Sequence, residues 1–477
     1  MSGTDPQAAY PSDASRLKPE LQGAHPAARA ATSPTAAKFT LPSYSTVRCE
    51  NGLTLLLMER HQLPLVSFHW LLKSGGAVCD PPAREGLAEL TAELLRKGTA
   101  TRTANQVSES LDFVGATFDA GAAQEYAYGS AEFLSKDLHL AVDLLSDLLL
   151  HPAFPAAEVD KLAQQEIDGI KEAKAVPEQV IGRYFEAFVF GPHPYGRPAC
   201  GTETTLANLT RADVAGFYQA WYVPNLMTLA VVGDFSAPEL ERRLRAAFAS
   251  WEPRPVSVPI VPDPPAVQGR RALVVDKPDA TQTFFRIGNV GLARTSADWV
   301  PLQVVNTLYG GRFTSMINTA LRIESGLTYG AHSSFSSRRA RGAFAIGSFT
   351  PNASTGQALD LALDTLRKLH QSGVTPKQLV SAKTYLTGQF GPTLETNDQL
   401  AALLVELDFY GLGRQYIDTY FERVDALTLP EARRLIKTYY PLDDLVFVFI
   451  GQRAVADPVA HKLAFDVQHK AITDTGW

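Results

Sequence analysis

The chain has 477 residues, of which 45% are hydrophobic, 20% are charged and 9% are aromatic. This profile is that of an ordinary globular protein, and it excludes collagen-like, wholly disordered and disulfide-scaffold chains. The formal net charge of -6 offers no basic field to a polyanion, so nucleic acid is not an expected partner. No apolar run approaches the roughly 20 residues that cross a bilayer, so no membrane span is predicted.

Residues 1–44 form a segment rich in alanine, proline and serine, with neither an apolar stretch nor amphipathic periodicity. This composition predicts a disordered or extended tail. A secretory signal needs a continuous apolar region, which the segment lacks. The compartment stays open: cytoplasmic if the sequence is full length, periplasmic or secreted if a signal was removed.

The next region, residues 45–250, begins with two β-rich segments and continues as helices that alternate with strand pairs. The pattern predicts strands within 46–60, 63–76, 116–133 and 227–235, and helices over 86–97, Ala104–Val114, Leu138–Leu150 and from 155 to about 174. Hairpins grouped between helices are typical of an α+β fold.

The second half of the chain repeats the order of the first. Residues 221–233 reappear as residues 439–451, and two further pairs of segments show a similar offset of about 215 residues. An offset this long indicates a duplicated domain and not a solenoid repeat. Proline-rich residues 251–269 lie where a linker should be. We therefore expect two homologous domains, 45–250 and 270–477, arranged as a clamshell with a cleft between them.

Neither cysteine nor histidine spacing indicates a catalytic or metal centre. Cys49, Cys79 and Cys200 are far apart and odd in number, which predicts three buried or half-buried thiols. The ten histidines include no pair at metal-binding spacing, and there is no nucleophile elbow or Walker loop. His69, within a predicted strand, is interpreted as a structural residue.

The predicted helix that follows Gly86 resembles the active-site helix of the M16 metallopeptidases, the family of insulinase, pitrilysin and the mitochondrial processing peptidase. There, His-x-x-Glu-His places two zinc-binding imidazoles one turn apart on a helix, together with the general base. Here the same positions read Glu89-Leu90-Thr91-Ala92-Glu93. Both histidines are glutamates, and Ala92 cannot take a proton from water as the family's glutamate does.

The resemblance places the family's third zinc ligand at Glu166. Three carboxylates, Glu89, Glu93 and Glu166, suit Mg²⁺ or Ca²⁺ weakly and Zn²⁺ poorly. In the alternative interpretation, Glu89 and Glu93 are solvated carboxylates on a helix face, with Arg96 and Lys97 nearby for pairing. This alternative predicts no metal bound by the chain, and we favour it because exposed carboxylates need no special cause.

A second motif lies in residues 309–330, which resemble the family's C-terminal segment at eight positions. Two of them are an arginine, Arg322, and a tyrosine seven residues later, Tyr329; the others are Gly310, Gly311, Leu321, Glu324, Gly326 and Leu327. In the family this arginine and tyrosine contact the substrate main chain across the cleft from zinc. A planar guanidinium suits carbonyl or carboxylate groups, and a phenol can donate to a developing oxyanion.

The resemblance extends from residue 45 to about residue 455 and implies two LuxS/MPP-like α/β sandwich domains that form half of a chamber. Loss of the zinc motif with retention of Arg322 and Tyr329 is the pattern of a non-catalytic subunit, inactive alone. It implies a heterodimer with a homologous catalytic subunit that has an intact His-x-x-Glu-His and holds zinc, and a peptide or unfolded polypeptide as substrate. Two alternatives stay open: a scaffold or peptide-binding protein without a proteolytic role, and an atypical metallopeptidase with a carboxylate site.

Overall fold

Each half of the chain builds one six-stranded sheet with helices on its faces. The computed structural model describes residues 39–464 and 466–477, so most of the predicted tail, up to residue 38, lies outside the described residues. In the first half the strands are β1 (Ser45–Arg48), β2 (Thr54–Glu59), β3 (Leu65–Leu72), β4 (Thr117–Ala122), β5 (Ala127–Leu134) and β6 (Met227–Gly233). The helices are α1 (Leu87–Glu93), α2 (Ala104–Val114), α3 (Leu138–Leu150), α4 (Ala156–Ala175), α5 (Pro177–Phe190), α6 (Glu203–Leu206), α7 (Arg211–Trp221) and α8 (Ala237–Ala247).

The second half has the same kind of sheet and a longer set of helices. Its strands are β7 (Arg271–Asp276), β8 (Gln282–Val290), β9 (Ala331–Phe335), β10 (Ala343–Pro351), β11 (Val446–Gly451) and β12 (Asp466–Ala471). Its helices are α9 (Trp299–Tyr309), α10 (Met316–Asn318), α11 (Thr355–Ser372), α12 (Pro376–Phe390), α13 (Asn397–Tyr410), α14 (Gln415–Asp418), α15 (Tyr420–Ala426), α16 (Leu429–Tyr439) and α17 (Arg453–Leu463).

The two sheets have equivalent strand orders, β1-β2-β6-β3-β5-β4 and β12-β7-β11-β8-β10-β9. In each, a central strand, β6 or β11, runs parallel to one neighbour and antiparallel to the other. Only the outer edge differs, because β1 forms an antiparallel hairpin with β2 whereas β12 runs parallel to β7. The repeat in the sequence is therefore a duplication of one α+β fold.

Most predicted elements are present, and two differ in detail. The segment predicted as one strand, 46–60, is a hairpin, because Gly52 adopts a φ of +86° and the Asn51 amide donates to the Phe248 carbonyl at 2.8 Å. The helix predicted over 86–97 is α-helical only as far as Glu93 and then tightens to a 3₁₀ turn, Leu94–Arg96. The tightening satisfies carbonyl groups that the last α-helical turn leaves free.

Each half also contributes one helix to the sheet of the other half. Helix α5 packs on β8 and β11, and helix α13 packs on β3 and β6. Every residue of β6 and of β11 is consequently buried, which explains why both strands are continuous apolar runs and not alternating ones. Residues Phe39–Trp477 form one compact unit as a result.

The connections between the halves are also packed. Residues 251–269 contain no helix or strand, but their backbone is held at several points, including the Pro262 carbonyl, 2.9 Å from His193 Nε2. At the end of the predicted tail, Leu41 is fully buried and its N–H donates to Asp418 at 2.9 Å. The described end of the segment predicted to be a tail, residues 39–44, therefore includes packed structure. None of the helices in the described residues has the length and hydropathy of a membrane-spanning segment.

Candidate functional site

The helix that carries the altered zinc motif, α1, is fixed at its start by a buried carboxylate. Asp80 accepts hydrogen bonds from the N–H groups of Gly86 at 3.0 Å and Ala88 at 2.8 Å. Gly86 has a φ of +94°, a left-handed conformation that favours glycine. These contacts set the angle at which α1 packs on β4 and determine which residues face away from the core.

Glu89 and Glu93 lie on the half-buried side of α1, whereas Ala92 is fully buried. The Glu89 carboxylate accepts a hydrogen bond from the backbone N–H of Ala122, at the end of β4. The pKa of Glu89 is raised to about 7, chiefly by burial; the Ala122 hydrogen bond lowers it, and the charge of Glu166 raises it. Burial also raises the pKa of Glu93 to about 8, with Glu166 and Glu89 adding to the effect.

The structure places the three glutamates within electrostatic range of one another, since the charge of Glu166 acts on both Glu89 and Glu93. It differs from the interpretation of Glu89 and Glu93 as solvated carboxylates, because both are half-buried. Neither forms an ion pair with Arg96 or Lys97 among the described residues; Arg96 instead lies 3.8 Å from Asp119. The two basic residues lower the pKa of Glu93 only from a distance. Packing against β4, which the helix pattern does not reveal, accounts for the difference.

In the family that the sequence resembles, this motif binds zinc. Zinc does not fit the residues at these positions here, Glu89, Ala92 and Glu93. The positions supply carboxylates where imidazoles are needed, and Ala92 supplies no base. Among the described residues no cluster of three or more His, Cys, Asp or Glu side chains has the geometry to hold a metal ion.

The cysteines and His69 occupy structural positions. All three thiols are free; Cys49 and Cys79 are buried and Cys200 is half-buried, as predicted. His69 lies on β3, with its Nε2 atom 2.6 Å from a carboxylate oxygen of Asp398 on the crossing helix α13. This histidine joins the two halves.

The second motif forms a site of different character. Helix α10 continues as π-helical turns over Thr319–Glu324, and Arg322 lies in these turns. Turns of this kind are frequent at functional sites. The Arg322 guanidinium lies over the Phe313 ring at 4.8 Å and is 6.0 Å from the centre of the Tyr329 ring. The structure thus places the predicted pair side by side.

This arginine and tyrosine are available to a ligand. Tyr329 is 78% exposed, and its neighbours Phe313 and Ile323 are 59% and 53% exposed. Arg322 has no ion pair within the part of the chain that the structure describes, so its N–H groups are free to donate. An exposed apolar patch with a free guanidinium is typical of a surface that binds another chain.

Sequence reasoning missed a cavity of about 390 Å³ beside Arg322, between α5 and the second sheet. Its lining includes Arg286 of β8, Arg312, and His332 of β9. One signal was present in the sequence: Arg286 is a lone charge inside the apolar strand β8. Helix α5 lines part of the cavity, and no local pattern indicates that this helix crosses to the second sheet.

Two sequence profiles and several curated proteins match this chain. Residues 61–203 match the sequence profile described as insulinase (peptidase family M16), and residues 208–386 match the profile described as peptidase M16 inactive domain. An uncharacterized zinc protease of Mycobacterium leprae is 28% identical over 352 residues, which cover 73% of this chain and 79% of that protein. The uncharacterized zinc protease YmxG of Bacillus subtilis is 25% identical over 355 residues, covering 74% of this chain and 85% of the relative.

Solved structures show the same fold. A peptidase M16 inactive domain from Pseudomonas fluorescens aligns with a TM-score of 0.80 at 24% identity, covering 86% of this chain and 98% of that one. A protease from Helicobacter pylori aligns with a TM-score of 0.79 at 20% identity, covering 86% and 100%. The two profiles match in order along one duplicated α+β chain, and the chain belongs to the M16 peptidase family.

Proposed function

We propose that this chain is a non-catalytic subunit of an M16-type zinc peptidase complex. It binds peptide and supplies Arg322 and Tyr329 to the active site of a homologous partner chain, which has an intact His-x-x-Glu-His and holds the zinc. The chain itself binds no zinc in this proposal. The observation that carries the proposal is the contrast between the two motifs. The zinc positions have neither imidazole nor base, whereas the half-buried Arg322 and the exposed Tyr329 are adjacent.

The chemistry of the pair suits a bound peptide. A guanidinium presents several N–H donors in a fixed plane and can bind a main-chain carbonyl, and a phenol O–H can donate to oxygen that gains negative charge. The Phe313 ring under Arg322 limits the orientations of the guanidinium. Exposed Ile323 and Phe313 offer apolar contact to substrate side chains.

The proposal is tested first by purifying the full chain from its native host and identifying what accompanies it. We expect an M16 chain with an intact zinc motif. The isolated chain, given zinc, should neither retain a stoichiometric amount of the metal nor cleave an unstructured peptide. Stoichiometric zinc with peptidase activity would instead support the carboxylate-site alternative.

The decisive experiment uses the reconstituted complex. Arg322→Ala and Tyr329→Phe should each lower kcat/KM by about tenfold or more, because each removes a donor to the reacting peptide. Assembly, measured by analytical ultracentrifugation, should not change. Arg367→Ala is the matched control, since Arg367 is an exposed arginine of the same half that pairs with Asp364 on its own helix. If both variants turn over peptide at the normal rate, the scaffold alternative replaces the proposal.

A further inference from the structure

The cavity beside Arg322 has an excess of positive charge. Its ionisable lining consists of three arginines, one histidine and a single acidic residue: Arg286, Arg312, Arg322, His332 and Glu178. Glu178 is in the first turn of α5, which belongs to the first half, whereas the basic residues all belong to the second. Helix α5 of the first half therefore completes the wall of a cavity that the second half mainly forms.

Three residues in register form the floor of the cavity. Arg286 on β8 lies opposite Gly347 on β10, and Gly347 lies opposite His332 on β9. A Cβ atom at Gly347 would be 2.8 Å from His332 Cε1, so a larger residue would displace the imidazole and fill the space. On the covering helix, a Cβ atom at Gly182 would be 3.5 Å from Arg286 Cζ. Glycines on both sides of the arginine keep the floor accessible.

The three arginines of the cavity form no ion pair within the part of the chain that the structure describes. The Arg286 guanidinium has no hydrogen-bond partner among the described residues; burial lowers the pKa of Arg286, and the charge of Glu186 raises it. Arg312 donates to Ser381 through Nη1, but its Nε atom is buried without a partner. Partial removal from water, and then the charge of Arg286, lowers the pKa of His332, while the charge of Glu178 raises it. All three arginines are half-buried, and removing a cation from water without a partner is costly, so a ligand that supplies the missing anion would be favoured.

The first half shows the same arrangement in a closed form. His69 on β3 lies opposite Ala230 on β6, just as Arg286 on β8 lies opposite Val448 on β11. Asp398 is the second residue of its crossing helix, as Glu178 is of α5, and it reaches His69 at 2.6 Å. No ion pair joins Glu178 to Arg286 in the residues described. In the first half the histidine and the aspartate are in contact; in the second half the equivalent arginine and glutamate are not paired, and the cavity beside them has space for an external anion.

We infer that this cavity binds a carboxylate group of the peptide, from either an acidic side chain or the C-terminus. The inference rests on the proposed peptide-binding function and adds to it the chemical class of one recognised group. Arg286 and Arg312 provide the charge, and a planar guanidinium matches a carboxylate in a bidentate arrangement. Because Arg322 also lines the cavity, a peptide held by its main chain at Arg322 has a carboxylate pocket within reach.

The test measures binding of three fluorescent peptides to the full isolated chain by anisotropy. They share one unstructured sequence: the first has a glutamate and an amidated C-terminus, the second a glutamine and a free C-terminus, and the third a glutamine and an amidated C-terminus. We expect the third to bind about tenfold more weakly than at least one of the others. The stronger of the first two identifies the source of the carboxylate. Equal affinity for all three, or no binding of any, would overturn the inference.

Variants locate the site. Arg286→Gln and Arg312→Gln should each remove the preference for the carboxylate peptide and leave the neutral peptide unaffected. Glu178→Gln should strengthen binding of the carboxylate peptide, because it removes the only acidic group of the cavity. Arg367→Gln, an exposed arginine of the same half, should change nothing. If Arg286→Gln fails to fold, the other two variants still test the inference, because Arg312→Gln should weaken binding of the carboxylate peptide and Glu178→Gln should strengthen it. An unchanged preference for the carboxylate peptide in both variants would overturn the inference.

The two proposals fail in different ways. A carboxylate preference in the isolated chain, together with normal turnover by the Arg322 and Tyr329 variants of the complex, would refute the proposed function alone. Reduced turnover in those variants, with equal binding of all three peptides, would refute the carboxylate site alone.

Discussion

The ionisation of Glu89 and Glu93 is governed by their surroundings and not by their place in a motif. Glu93 has a pKa of about 8 and Glu89 one of about 7, because both are partly removed from water and the charge of Glu166 acts on each. Their pKa values in the folded chain lie above those of exposed glutamate, so the folded state binds more protons than the unfolded state from about pH 4.5 to 8. Their contribution to stability is therefore favourable at low pH and is lost as the pH rises through this range.

This effect predicts a pH-dependent consequence of replacing Glu93. Glu93→Gln cannot ionise, so it should unfold at the same temperature as the native chain near pH 5 and at a higher temperature near pH 8.5. A gain of about 1–2 kcal/mol is expected, since solvent at this half-buried position screens part of the charge interaction. Thermal melts at both pH values measure it. Glu172→Gln, on the exposed side of α4, should show no difference at either pH; a Glu93 variant that behaves like this control would contradict the assignment.

At the scale of elements, helix α1 depends on a residue outside itself. Asp80 satisfies two N–H groups at the start of the helix, and Asp80 is 3% exposed. Asp80→Ala leaves these donors buried and unpaired, which should cost about 1–3 kcal/mol in the free energy of unfolding. Asp80→Asn retains a carbonyl acceptor and should lose less. As a comparison, Thr103→Ala removes an exposed N-cap of α2 and should cost about 1 kcal/mol in the free energy of unfolding. If denaturant melts show a larger loss of stability for Thr103→Ala than for Asp80→Ala, the role of Asp80 at the start of α1 is contradicted.

The whole molecule is held together by the exchange of α5 and α13. Leu404 of α13 is 1% exposed and belongs to a core formed with the first sheet, although it lies in the second half of the chain. Leu404→Ala should destabilise by about 2–5 kcal/mol and should increase hydrogen exchange in β3 and β6, more than 150 residues away in sequence. Leu366→Ala, in the core of its own half, should increase exchange in the second sheet instead. Changes confined to α13 in the Leu404 variant would show that the halves unfold independently.

Several features could be predicted from residues alone because they depend on local periodicity or on motif identity. The bounds of α2 and α3, the buried character of β6, the duplication and the change at Glu89, Ala92 and Glu93 are of this kind. Hydrophobic period and residue spacing specify which face of an element is buried, and they identify a motif whether or not it retains its donors.

Only the tertiary structure decided what covers each buried face. Helix α13 was not predicted, and nothing in the pattern of α5 shows that it crosses to the other sheet. Contacts between residues far apart in sequence produce three features: the raised pKa of Glu93, the side-chain contact between His69 and Asp398, and the cavity that Arg286 lines. Burial and Coulomb energies depend on distances in space, and these are set when the halves exchange helices. The sequence determined that this chain is an altered member of its family; the packing of its halves decided where its free charges lie.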